Sequence, residues 1–227
     1  MRPKQLQIQS GGFSLIEVVV ATAIIGLTAA LIPPIVALSV AARAQSQRVE
    51  QAYFLAQGYI DLVRLRMERG PAGGSVSDFI NDINRIVPPN SATSLDAVPP
   101  PAANALRNAP LCDLRNPNPN AGLCRIDINA DGRPDFGTQA FRVRQQLASD
   151  GRPIAFVFGV RVYPRAVVQG TYTGPLGIRP AAVRLGAIEA VSNPLAVQYG
   201  RVFMPDAPDS LLNLCLVLGG DQARCRQ

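Results

Sequence analysis

The sequence predicts an α+β protein: a long N-terminal helix, transmembrane in its first half and amphipathic in its second, packed on an antiparallel sheet. Three observations carry this. Residues 13–40 are apolar almost without a break, apolar positions between 49 and 67 recur in steps of three and four, and several segments beyond 139 alternate with period two. Helices segregated to one face of hairpin-connected strands give an α+β arrangement. A chain of 227 residues suffices for one membrane-anchoring segment and one domain with its own core.

The run FSLIEVVVATAIIGLTAALIPPIVALSV extends from Phe13 to Val40. As a helix it measures about 42 Å, against a bilayer core of about 30 Å. Arg2 and Lys4 precede it, so the N-terminus is expected on the cytoplasmic side and the bulk of the chain outside. Further on, Val49, Tyr53, Ala56, Ile60, Val63 and Met67 mark one helical face. Arg43, Gln47, Glu50, Gln57, Asp61 and Arg64 fill the other sides. Arg64, Arg66 and Arg69 crowd the last turn, where cations suit the helix dipole, and Gly70-Pro71 ends the helix. The whole is expected to run for about 55 residues, roughly 85 Å. Pro33-Pro34 lies inside it and predicts a kink or local melting, because proline removes a hydrogen bond and crowds the preceding turn.

Residues 70–111 are rich in Gly, Pro, Ser, Asn and Ala. They read as a short helix around Val76–Ile86 followed by an irregular linker. Strands are expected at Gln139–Leu147, Ile154–Tyr163, Ala182–Val191 and Leu195–Met204, with Asp150-Gly151 as a turn. In the second, Ala155, Val157, Gly159, Arg161 and Tyr163 share one face, and Phe156, Phe158, Val160 and Val162 the other.

The formal net charge is +6, with arginines scattered and no dense basic run beside aromatics, so no nucleic-acid partner is expected. Histidine is absent. That excludes Ser-His-Asp and Cys-His nucleophiles and HExxH zinc sites. No phosphate-binding glycine loop is present either, and the chain is not expected to be an enzyme.

Glu17 does not fit a plain membrane anchor. It lies five residues into the apolar run with no lysine or arginine beside it. A carboxylate there costs on the order of 3 kcal/mol, so it calls for a partner. Cleavage after Gly12 would create one, the α-amino group of Phe13 on another subunit. Gly12-Phe13-Ser14-Leu15-Ile16-Glu17, after a short basic leader, resembles the GFxLxE signature of type IV pilins and type II secretion pseudopilins. The resemblance implies that a prepilin peptidase cuts between Gly12 and Phe13, that Phe13 is then methylated, and that Glu17 pairs with a neighbour's N-terminus. It also implies an inner-membrane assembly platform and other pilins as partners. An ordinary signal peptide, with Ala42-Arg43-Ala44 as its cleavage site, would have about half this apolar length and would leave Glu17 unexplained.

Cys112, Cys124, Cys215 and Cys225 form two local pairs in the sequence, neither with zinc-site spacing. In an exported domain two disulfides are expected, Cys112 with Cys124 and Cys215 with Cys225. The second resembles the C-terminal disulfide loop of pilins. Asp127, Asn129, Asp131 and Asp135 fall at positions 1, 3, 5 and 9 of a D-x-N-x-D-G-x-x-D loop with Gly132 at the sixth. This is the opening of an EF-hand-like loop, to which Arg133 would add its carbonyl, and it predicts structural calcium. Thr138 stands at position 12, where a bidentate glutamate is usual. The alternative is an Asx-turn loop without metal. The order of Cys pair, Asp-rich loop, QAFRV and GVRVYP is similar to a cyanobacterial pseudopilin group linked to hormogonium polysaccharide secretion.

The expected organisation is a leader at 1–12, a transmembrane and assembly helix at 13–40, its amphipathic continuation at 41–70, and an exported domain at 71–227. The expected function is a minor pilin or pseudopilin. The competing expectation is a membrane-tethered extracytoplasmic binding module that never enters a filament; only assembly gives Glu17 a purpose. N-terminal sequencing of the mature protein should start at Phe13, whereas a start near Gln45 would mean signal-peptidase cleavage.

Overall fold

A computed structural model describes residue 12 and residues 14–70, 74–113, 119–181, 191–204 and 210–225. The chain divides into two units, Met1–Gln45 and Ser46–Gln227. Helix α1, Leu15–Arg69, runs through the boundary for 55 residues.

In the first unit α1 exposes nearly all its side chains, on every side, and is long and apolar enough to cross a membrane. Its hydroxyls are turned back onto the helix. Thr22 Oγ1 donates to the Val18 carbonyl at 3.0 Å, Thr28 Oγ1 to the Ile24 carbonyl at 3.0 Å, and Ser39 Oγ to the Val36 carbonyl at 2.8 Å. Such self-satisfaction is what a bilayer demands of a polar group. The helix continues without interruption past Pro33 and Pro34, so no melted turn appears there. Their missing amides nonetheless leave the carbonyls of Ala29 and Ala30 without the usual partners.

In the second unit α1 turns one-sided. It buries Ala52, Leu55, Ala56, Tyr59, Ile60, Val63 and Met67. This stripe is rotated from the sequence expectation, because Tyr53 is exposed and Tyr59 takes the core position. Tyr59 donates to the Ile86 carbonyl at 3.2 Å, and burial pushes its phenol well above the ordinary range. Helix α2, Val76–Ile86, starts at Ser75, whose Oγ accepts the Asp78 amide at 3.1 Å. It buries Phe79, Ile83 and Ile86.

The sheet is antiparallel, in the order β1 (Leu123–Ile126), β2 (Phe136–Leu147), β3 (Pro153–Pro164) and β4 (Ala196–Phe203). Strand β1 is an addition to the sequence reading. The candidate strand at Ala182–Val191 lies almost wholly outside the described residues. Phe156, Phe158, Val160 and Val162 face α1 and α2, together with Ala140, Ile126 and Val202. The opposite face, with Phe141, Val143, Ala155 and Val157, is covered by Val98 and by Val217 of a C-terminal helix, Ser210–Val217. Burial along nearly all of β3 follows from cover on both faces.

The segment after α2 is therefore a cover and not a linker. It contains a 3-10 turn at Leu95–Ala97 and a short helix at Ala103–Arg107, and Val98 and Leu106 are buried. Two buried arginines hold the covers in place. Arg142 donates to the Val87 carbonyl and to Asn84 Oδ1, both at 2.6 Å, at the C-terminal end of α2. Burial pushes its guanidinium down to about 10. On the other face Arg161 lies 4.6 Å from the Phe141 ring centroid and donates to the Leu95 and Pro99 carbonyls at 3.3 Å. Disulfides join Cys112 to Cys124 and Cys215 to Cys225, the two local pairs.

Gly159 faces the Phe141 and Tyr199 rings across neighbouring strands. A Cβ there would lie 2.7 Å from Phe141 Cζ and 3.1 Å from Tyr199 Cδ1. Gly159→Ala should therefore destabilise the domain by about 1–3 kcal/mol, read as a lower urea midpoint of residues 46–227.

Candidate processing and assembly site

The start of α1 is set by Ser14. Its carbonyl accepts the Glu17 amide at 3.0 Å and the Val18 amide at 3.2 Å, and its Oγ receives the Glu17 amide at 3.3 Å. Ser14 is thus the N-cap and Glu17 the third helical residue, one half of a capping box. The S-x-x-E spacing of Ser14-Leu15-Ile16-Glu17 signals this cap in the sequence, where the longer motif overlaps it.

Gly12, on the amino side of the expected cut, is exposed, and a Cβ built on it meets nothing within 4 Å. Phe13 lies outside the described residues. Glu17 is exposed in the first turn, where the helix dipole favours an anion. Among the described residues its carboxylate has neither a hydrogen-bond nor an ion-pair partner. What these residues offer chemically is an unobstructed glycine and an acceptor-only group available for a cation from outside the chain.

The acidic loop joins β1 to β2. Asp127 Oδ2 accepts the Gly132 amide at 2.7 Å, Asn129 Oδ1 the Asp131 amide at 3.2 Å, and Asp131 Oδ1 the Arg133 amide at 2.8 Å. Asp135 Oδ2 accepts the Ile128 amide at 3.1 Å. Gly132 has φ +82°, which an L side chain rarely adopts. Asp127 Oδ1 is buried and has no hydrogen-bond partner. Among the described residues no three His, Cys, Asp or Glu side chains are gathered round one point, so an ion in this loop would have to draw Asp127, Asp131 and Asp135 together from their present hydrogen bonds.

Residues 9–33 match the family model described as the prokaryotic N-terminal methylation motif, the type IV pilin and pseudopilin signal. The match ends at residue 33 and does not reach the features similar to the cyanobacterial group. No curated protein and no solved structure matches the chain.

Proposed function

We propose that this chain, which carries the type IV pilin and pseudopilin signal at its N-terminus, is a minor pilin or pseudopilin of a type IV pilus or a type II secretion-like pseudopilus. The match over residues 9–33 is the observation that carries the reading. The 55-residue helix supports it, with a stretch long and apolar enough to cross a membrane. A prepilin peptidase removes the leader after Gly12, and the basic leader keeps the N-terminus cytoplasmic until then. In the bilayer the Glu17 carboxylate is unfavourable by about 2.5–3.5 kcal/mol. Pairing with the Phe13 α-amino group of a neighbouring subunit removes that cost and draws subunits together. The chain is a structural subunit, and its exported domain decorates the filament.

Insertion depends on the apolar run, which Glu17→Ala makes more apolar. Glu17→Ala should therefore stay in the inner membrane while its recovery in sheared filaments falls at least tenfold. Glu17→Asp, with the charge kept and the reach shortened, should recover in part. Assembly of Glu17→Ala at the wild-type level would remove the pairing mechanism.

We also propose that the β1–β2 loop takes calcium in a structural role, through Asp127, Asn129, Asp131, Asp135 and the Arg133 carbonyl. The ligand spacing supports this, as does the buried Asp127 Oδ1, which lacks a partner while Oδ2 accepts the Gly132 amide. The ion would supply the missing charge partner for the acidic side chains. Calorimetric titration of residues 46–227 should give heat with calcium and none for Asp131→Ala. Absence of heat at millimolar calcium would sink the idea.

A further inference from the structure

Val143, Val157 and Arg201 are cross-strand neighbours on β2, β3 and β4 and form a row on the sheet face opposite α1. Neighbouring strands lie about 4.8 Å apart, so the row is about 10 Å long. A groove of about 400 Å³ lies over it, between the Leu95–Ala97 turn and the end of the Ser210–Val217 helix. Leu95, Val217 and Leu218, with Val143 and Val157, make its lining largely aliphatic.

An arginine stands at each end of the row. Arg201 is exposed on β4. Arg144 reaches the groove through a backbone distortion. Strict alternation would turn it away from Val143, toward the α1 side. A register irregularity after Val143 and a left-handed backbone, φ +50°, bring it round to the groove instead. A residue with a Cβ adopts that conformation at a cost, and bulges of this kind re-aim side chains. Arg144 Nε donates to the Thr93 carbonyl at 2.8 Å, which holds the guanidinium and leaves its two terminal nitrogens for other acceptors. Among the described residues neither Arg144 nor Arg201 makes an ion pair. Asp96, on the groove wall, accepts the Tyr199 hydroxyl on Oδ1 at 2.7 Å and keeps Oδ2 for an incoming N–H.

We propose that this groove binds an extended acidic peptide segment of a partner protein, with an aliphatic side chain over Val157 and a carboxylate at each arginine. Two unmatched guanidiniums call for anions, and the aliphatic floor between them calls for an apolar group. An extended chain sets alternate side chains on one face, so Glu-x-Leu-x-Glu presents these groups in that order. Peptide amides donate to Asp96, as a fatty-acid carboxylate does not. A sugar ring would leave hydroxyls unpaired against Val143 and Val157. The groove lies within the Ser46–Gln227 unit, and the inference is independent of the assembly reading.

The test titrates the full chain, in uncharged detergent, into rhodamine-labelled Glu-Ser-Leu-Ser-Glu amide and follows fluorescence anisotropy. Saturable binding in the submillimolar range is expected, weakening as salt rises. Arg201→Gln should lower the affinity at least tenfold, through loss of one charge-assisted pair. Arg144→Gly removes the other guanidinium and suits φ +50°. Its affinity should also fall at least tenfold, with thermal unfolding of the full chain nearly unchanged; should this variant not fold, Arg201→Gln, at an exposed position, decides. Exchanging the peptide's leucine for serine, or its glutamates for lysine, should weaken binding by the same factor. No saturation at millimolar peptide, or unchanged affinity in either folded variant, would overturn the proposal. Displacement by oligogalacturonate or by inorganic phosphate at the peptide's own concentration would also overturn it, marking a saccharide site or a bare anion site.

Discussion

One carboxylate sets the problem that α1 must solve. Up to Val40 the helix satisfies most of its polar groups internally, the Ala29 and Ala30 carbonyls opposite Pro33 and Pro34 apart: backbone amides run along the helix, and the Thr22, Thr28 and Ser39 hydroxyls turn back onto carbonyls. Glu17 is the one charged exception in the described part of this stretch. An acceptor-only carboxylate needs a donor, and the helix's hydroxyl donors are already given to its own carbonyls. Its first-turn position suits the helix dipole, which offsets part of the cost of dehydration and not all of it. On the proposed assembly reading a cation from outside the chain would complete the balance, and the amine freed by a cut after Gly12 would provide one.

The second half of the same helix answers a different solvent. Beyond residue 46 one stripe is buried and the remainder faces water, so α1 becomes the first layer of the α+β domain. The sheet is then covered on both faces, and each cover is tied by one buried guanidinium. Arg142 holds the end of α2, and Arg161 holds the 95–99 segment. Neither faces a carboxylate at ion-pair distance among the described residues; backbone carbonyls, amide side chains and an aromatic face carry the charge. Removing either arginine would free a cover as well as a charge.

Legibility in the sequence followed the length of each pattern. The long apolar run, the Val76–Ile86 helix and both faces of β3 are read correctly, because each repeats its period often enough to outweigh local exceptions. Helical phase was harder. Tyr53 and Tyr59 both suit an amphipathic stripe, and packing against α2 decided for Tyr59. Strand β1 has only four residues, too few for alternation to show. The segment after α2 has the composition of a linker, but its place is decided by Arg161, 62 residues along the chain from Pro99. At the site, Glu17 stood out because a charge among apolar residues is conspicuous, while the Ser14 cap, a four-residue pattern, was masked by the larger motif it overlaps. The groove between Arg144 and Arg201 combines residues from three strands and from both segments that flank it, so no single stretch of sequence reveals it.

The central claim is that Glu17 of one subunit meets the N-terminal amine of another. Zero-length carbodiimide coupling of the assembled protein, followed by peptide mass spectrometry, tests it most directly. The account predicts an amide bond between the Glu17 side chain and the Phe13 nitrogen of a different copy, distinguished by mixing isotope-labelled and unlabelled subunits. A Glu17 that stays uncoupled in intact filaments, or that couples only within its own chain, would contradict it.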